Sequence, residues 1–186
     1  MKKLILLSLI LFSLAACQKE EKVLPKAAVL GSNTQVKPDT IPDNAAFKIK
    51  LVKDSTNGDE TMICFNHLAS LKYSSSNDAP YLPGFGKVSL ASISADGIDL
   101  AINKVPYTPG MPIGLNVHTK TDGAYLLETT YKNKIPASVQ VWLMDNYPKD
   151  SVNIGLNKYN FNVIKADTNS FGSKRFRLVL KDAGHQ

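Results

Sequence analysis

Period-two alternation of apolar and polar residues runs through the chain from about residue 46 onward and restricts its fold more than any other feature. Phe47, Ile49 and Leu51 alternate with Lys48 and Lys50. The same pattern recurs in Val139, Val141 and Leu143, in Tyr159, Phe161 and Val163, and in Phe176, Leu178 and Leu180, which alternate with Arg175, Arg177 and Val179. Successive side chains of a strand point to opposite faces, so each stretch predicts a half-buried strand. No window long enough for a three-turn helix carries a helical stripe. Asp96-Gly97 separates residues 87–94 from 98–103 and predicts a hairpin, because both central positions of a type I′ turn need positive φ. Ile98, Leu100 and Ile102 are then expected inward, with Asp99 and Asn103 outward. A second hairpin is expected from Ile113, Leu115 and Val117, through Asp122-Gly123, to Tyr125, Leu127 and Thr129. Seven or more short strands separated by turn signals predict an all-β domain, an antiparallel β-sandwich of Ig-like or jelly-roll-like type. An open barrel is the alternative.

The N-terminus has a different composition. Met1-Lys2-Lys3 is basic, residues 4–14 are apolar but too few to span a bilayer, and Ala15-Ala16 are the small residues a signal peptidase requires. Leu14-Ala15-Ala16-Cys17 resembles the lipobox of bacterial lipoproteins. The resemblance implies a diacylglyceryl thioether on the Cys17 sulfur and a further acyl chain on its amine, enough for stable membrane anchoring. An acylated Cys17 leaves Cys64 alone, so no intramolecular disulfide is expected. Gln18-Lys19-Glu20-Glu21-Lys22 resembles the export signal that sends some Bacteroidota lipoproteins to the outer face of the outer membrane; a periplasm-facing anchor is the alternative. Pro25, Pro38 and Pro42 interrupt the polar segment that follows, which reads as a flexible tether. The expected organisation is a signal peptide over 1–16, a lipid-anchored tether over 17–44, a β-sandwich over 45–183 and a frayed tail over 184–186.

Within the body, three stretches look like a β-sandwich module common near the C-termini of secreted and surface proteins of Bacteroidota. They are Asp59-Glu60-Thr61-Met62-Ile63-Cys64-Phe65, the run from Ser89 through Asp96-Gly97 to Asn103, and Val141-Trp142-Leu143-Met144-Asp145. Phe171-Gly172-Ser173-Lys174-Arg175-Phe176, continuing to Leu180, resembles the loop and final strand of such modules. The resemblance covers roughly residues 46–181 and implies a fold, with no chemistry transferable to named residues.

The net charge of +6 includes two lysines of the leader, and the remaining basic residues are scattered, which argues against nucleic acid as a partner. No nucleophile elbow, zinc-protease helix, P-loop or calcium loop occurs. Cys64-Phe65-Asn66-His67 has a ligand-like spacing, but the two side chains have odd separation on a strand; a buried, structural Cys64 and no metal site are expected. Asp96, Asp99, Asp145 and Asp150 read as turn, loop or solvent-facing acids, so no catalytic residues are assigned. His185 lies in the tail. Aromatic residues are the better candidates: Tyr81 and Phe85 around Gly84, with Tyr107, Tyr131, Trp142, Tyr147 and Tyr159, since ring faces stack on sugars and on apolar protein groups. Trp142 is expected outward, opposite in parity to Val141 and Leu143. Asp39-Thr40-Ile41, Asp54-Ser55-Thr56 and Asp150-Ser151-Val152 resemble the O-glycosylation acceptor pattern of Bacteroidota. These features together predict a non-enzymatic outer-membrane lipoprotein without a cofactor beyond its covalent lipid. It would bind glycan or envelope protein through Trp142, Tyr81, Phe85, Tyr107 and Tyr147, or, alternatively, serve as a fimbria-like structural subunit.

Overall fold

A computed structural model describes residues 41–84 and 86–183. Cys17, Phe85, Thr40 and His185, with the leader and most of the tether, lie outside the described residues. Eleven strands follow one another: β1 (Ala46–Asp54), β2 (Asn57–Phe65), β3 (Ala79–Pro80), β4 (Val88–Ile93), β5 (Asp99–Val105), β6 (Pro112–Thr119), β7 (Gly123–Asn133), β8 (Val139–Asp145), β9 (Asp150–Asn153), β10 (Tyr159–Val163) and β11 (Gly172–Asp182). A single 3-10 turn, Thr168–Ser170, precedes β11, and the described residues contain no α-helix. The strands hydrogen-bond in the order β10-β7-β1-β2-β5-β4-β6-β11-β8-β9, with β3 on β5.

The domain is therefore all-β, as the alternation predicts, but it forms one mixed sheet. β2 and β5 run parallel, pairing Met62 with Ile102 and Phe65 with Val105, so the arrangement is not antiparallel throughout. The hairpin around Gly97 (φ +84°) is present, with Ser92 opposite Leu100. The second expected hairpin is not. β6 pairs with β4 and β11 while β7 pairs with β1 and β10, and the segment between them crosses from one half of the sheet to the other.

Side-chain parity follows the sequence in most strands. Phe47, Ile49, Leu51, Leu115, Val117, Leu127, Leu143 and Leu178 are fully buried in one core. Each such aliphatic or aromatic side chain contributes about 1.5–3 kcal/mol on burial. β5 departs from the expectation: Ile98 and Ile102 are exposed, whereas Leu100 and Asn103 are buried. The cause is an irregularity opposite β3, where Ala79 pairs with Ile102 but Pro80 with Leu100, so that one step along β3 spans two along β5 and the facing of later residues is reset.

The path of strands curls until its first member meets its far end. Phe161 of β10 lies 4.8 Å from Phe176 of β11, and the Tyr159 hydroxyl donates to Asp145 at the end of β8 at 3.1 Å. The sheet is thus nearly closed into a barrel, and side-chain contacts complete the closure where no ladder does. Ile41 belongs to the core and Asp43 bonds His67, so the last residues of the segment read as tether pack on the body.

Asp54 fixes the turn of the β1–β2 hairpin. Its Oδ1 accepts hydrogen bonds from the backbone N–H of Thr56 and of Asn57, both at 3.0 Å, and from Asn57 Nδ2 at 2.7 Å. The Asn57 side-chain amide, followed by the Thr56 backbone N–H, holds the carboxyl down from 3.8 to about 2. A depressed carboxylate stabilises the fold above its ordinary pKa and loses that contribution as protons rebind, so the turn should weaken as pH falls from 3.8 through about 2. In Asp54→Asn this acid-sensitive component should be missing. Carbon-detected NMR titration of the Asp54 carboxyl is the check, and a midpoint near 3.8 would contradict the assignment.

Candidate functional site

Continued alternation along β8 carries Val139, Val141, Leu143 and then Asp145 onto the core face. A carboxylate there needs partners, and Arg175 supplies them. Its Nε donates to Asp145 Oδ1 and Oδ2 at 3.0 and 3.1 Å, and its Nη2 to Oδ2 at 2.8 Å. Nη1 donates to the carbonyls of Asn162, at 2.8 Å, and of Ser170. The rings of Phe161, Phe176 and Tyr147 surround the guanidinium carbon at 4.7, 4.7 and 5.0 Å. Asp145 also accepts from the Tyr147 backbone N–H at 3.0 Å. Burial, and then the Asp145 charge, push the Tyr159 phenol well above its ordinary range. Both charges are buried, with side chains 3% and 1% exposed, yet nearly every hydrogen-bonding position is occupied. This cluster joins β8, β10, β11 and the 3-10 turn where the sheet closes on itself.

Neither residue was placed inside by its sequence context. Asp145 was expected to face solvent or a loop; it is buried because the parity of β8 persists to the strand's last residue. Arg175 was expected opposite Phe176; it turns inward because the pairing of β11 with β6 is irregular between Gly172 (φ +89°) and Phe176. The Val-x-Val-x-Leu-x-Asp pattern was the signal that could have placed Asp145. None existed for Arg175.

A cleft of about 580 Å³ opens above this cluster, with Asn146, Tyr147, Asn169, Phe171, Lys174 and Arg175 among its lining residues. Tyr147 is 42% exposed there. Asp167 raises its phenol pKa, and the exposed ring is what it offers to a ligand. Asn146 is oriented by two bonds, its backbone N–H to the Arg175 carbonyl and its Nδ2 to the Lys174 carbonyl, both at 2.8 Å.

Among the described residues, the other aromatic candidates do not join this lining. Trp142 does face outward, but it is half-buried: its indole N–H donates to Gln140 Oε1 at 2.8 Å, and Lys181 Nζ sits 4.9 Å from its ring. Tyr81 donates its O–H to Asp59 at 2.6 Å, and the same carboxylate accepts from the Leu90 N–H. Tyr107 donates to Asp182 at 2.6 Å and meets Phe65 edge-on at 6.1 Å. Tyr131 is exposed on β7, and Tyr159 is absorbed into the cluster.

Cys64 differs from its expected burial. Thr61, Ile63 and Phe65 take the core face of β2, leaving Cys64 half-buried on the other as a free thiol, and burial pushes its pKa up. His67 is exposed and its Nδ1 lies 2.7 Å from Asp43, whose carboxyl is held below its usual range first by the His67 backbone N–H. Cys64 is not in the lining of the cleft that His67 borders with Ile41, Phe65 and Tyr107. Among the described residues, no three His, Cys, Asp or Glu side chains come together as metal ligands would. Ser55 and Ser151, the two acceptor-pattern serines within the described residues, are both exposed.

No protein-family model matches this chain, and neither the curated proteins nor the solved structures contain a match to it.

Proposed function

We propose that this chain is a non-enzymatic, lipid-anchored binding protein of the outer membrane, displayed on the cell surface, whose β-domain contacts glycan through the cleft at Tyr147. The observation that carries this reading is an exposed aromatic ring beside the amide groups of Asn146 and Asn169 and the ammonium of Lys174. A pyranose presents an apolar face that stacks on such a ring and a rim of hydroxyls that such groups bond. The base beneath is held by the Arg175–Asp145 pair, so the site is assembled before any ligand arrives. A non-enzymatic role accords with the engagement of the acids and His67 in structural contacts. The anchor rests on the Leu14-Ala15-Ala16-Cys17 box and the surface location on Lys19-Glu20-Glu21. A sandwich-like module, related to those of Bacteroidota surface proteins, rests on the sequence resemblance over roughly residues 46–181.

Two experiments test the parts separately. Cells grown with labelled palmitate should incorporate it into the wild-type protein and not into Cys17→Ala; equal labelling removes the anchor. Screening the protein on an array of bacterial and host glycans should return a family of related sugars. Silence on the array, combined with self-association into filaments, would replace this reading with that of a structural subunit.

A further inference from the structure

A second cleft, on a different part of the domain, has the opposite chemistry. β5 pairs with β4 only at Asp99 and Leu100 before leaving for β2, and β4 ends at Ile93 opposite Gly114. Pro112 and Ile113, at the start of β6, pair with Val179 and Leu178 of β11 on one side and with no strand on the other. The wedge left between the diverging strands is a cleft of about 420 Å³ walled by Leu71, Ile93, Val105, Met111, Pro112 and Ile113. Among the described residues, no charged side chain lines it.

Its two polar side chains differ in one respect. Ser94 is satisfied, its hydroxyl donating to Asp96 at 2.6 Å and accepting from the Ile98 N–H at 3.0 Å. Asn103 is only 2% exposed, and among the described residues its Nδ2 is the buried side-chain polar atom without a hydrogen-bond partner. A buried donor left unpaired is destabilising, and Leu or Val at this inward position would be better tolerated by the fold alone. The loop over the mouth is tied down: the Leu71 carbonyl accepts from the Ala95 N–H at 2.8 Å, and the Tyr73 N–H donates to Asp96 at 3.0 Å.

We infer that this cleft binds a small, largely apolar, uncharged molecule carrying one hydrogen-bond acceptor, such as a ketone or an ester, whose oxygen is taken by Asn103 Nδ2. Apolar walls with a single unpaired donor among the lining residues select that class, because a sugar would leave most of its hydroxyls unpaired and an ion would find no counter-charge. The inference is independent of the Tyr147 cleft and stands or falls without it.

The test uses the full-length chain and a matched pair of probes, acetophenone and ethylbenzene, which differ by the carbonyl oxygen. In nitrogen-15 NMR titrations, acetophenone should shift the Asn103 side-chain amide together with the backbone signals of Leu71 and Ile113. Asn103→Leu should weaken acetophenone about five- to tenfold, the worth of one net hydrogen bond, while leaving ethylbenzene binding unchanged. Ala95→Phe, at an exposed position on the rim, should block both probes and leave the rest of the spectrum in place; it decides the matter if Asn103→Leu does not fold. Shifts absent from Asn103 and its neighbours, equal acetophenone affinity in Asn103→Leu, or unimpaired binding to Ala95→Phe would overturn the inference.

Discussion

Arg175→Met is expected to destabilise the domain by about 3–5 kcal/mol, far more than a surface charge change, because it strands the Asp145 carboxylate in the core. In the wild type that carboxylate accepts from Nε and Nη2 of Arg175, from the Tyr147 N–H and from the Tyr159 hydroxyl. Removing the guanidinium takes away the neutralising charge and also frees the carbonyls of Asn162 and Ser170. The double replacement Asp145→Leu with Arg175→Met removes both charges and should recover most of the loss, to within about 2 kcal/mol of wild type, because a buried pair is often no more stabilising than apolar groups of similar volume. Urea unfolding followed by tryptophan fluorescence, with Trp142 as the reporter on β8, measures all three proteins. A single variant as stable as wild type would show that the pair does not close the sheet.

The second large effect is on binding. Tyr147→Ala should weaken glycan affinity about ten- to thirtyfold, in the range of a moderate hot-spot residue, with the melting temperature lowered only slightly. Tyr147→Phe should retain most of the affinity, since the exposed ring makes the contact. The order of these two variants separates stacking from hydrogen bonding: an equal loss in both would assign the contact to the hydroxyl. Binding measured by calorimetry on whichever sugar the array returns, at matched protein concentration, provides the comparison.

Local patterning made the strands legible and left their partners obscure. Val139, Val141 and Leu143 face the core, with Trp142 outward, because parity is a property of the strand itself. Whether Asp122-Gly123 folds into a hairpin or an arch depends on which strands β6 and β7 meet, and the same dipeptide serves both. The parallel pairing of β2 with β5, and the reset of parity after Leu100, likewise depend on contacts between segments far apart in the chain. Composition identified aromatic residues as candidates but could not show which hydroxyls were already taken. Tyr81 is held by Asp59 and Tyr107 by Asp182, partners 22 and 75 residues away. The inward turn of Arg175 arises from an irregularity in β11 whose cause lies in its pairing with β6.

Chemical-shift mapping of the nitrogen-15-labelled protein with the glycan selected on the array tests the central claim most directly, since it reports where the ligand sits without presuming a residue. The account predicts that shifts concentrate at Asn146, Tyr147 and residues 168–175, with the Arg175 guanidinium signals moving and the rest of the sheet still. Shifts centred on Trp142, Tyr81 or Tyr107, or scattered without a centre, would contradict it.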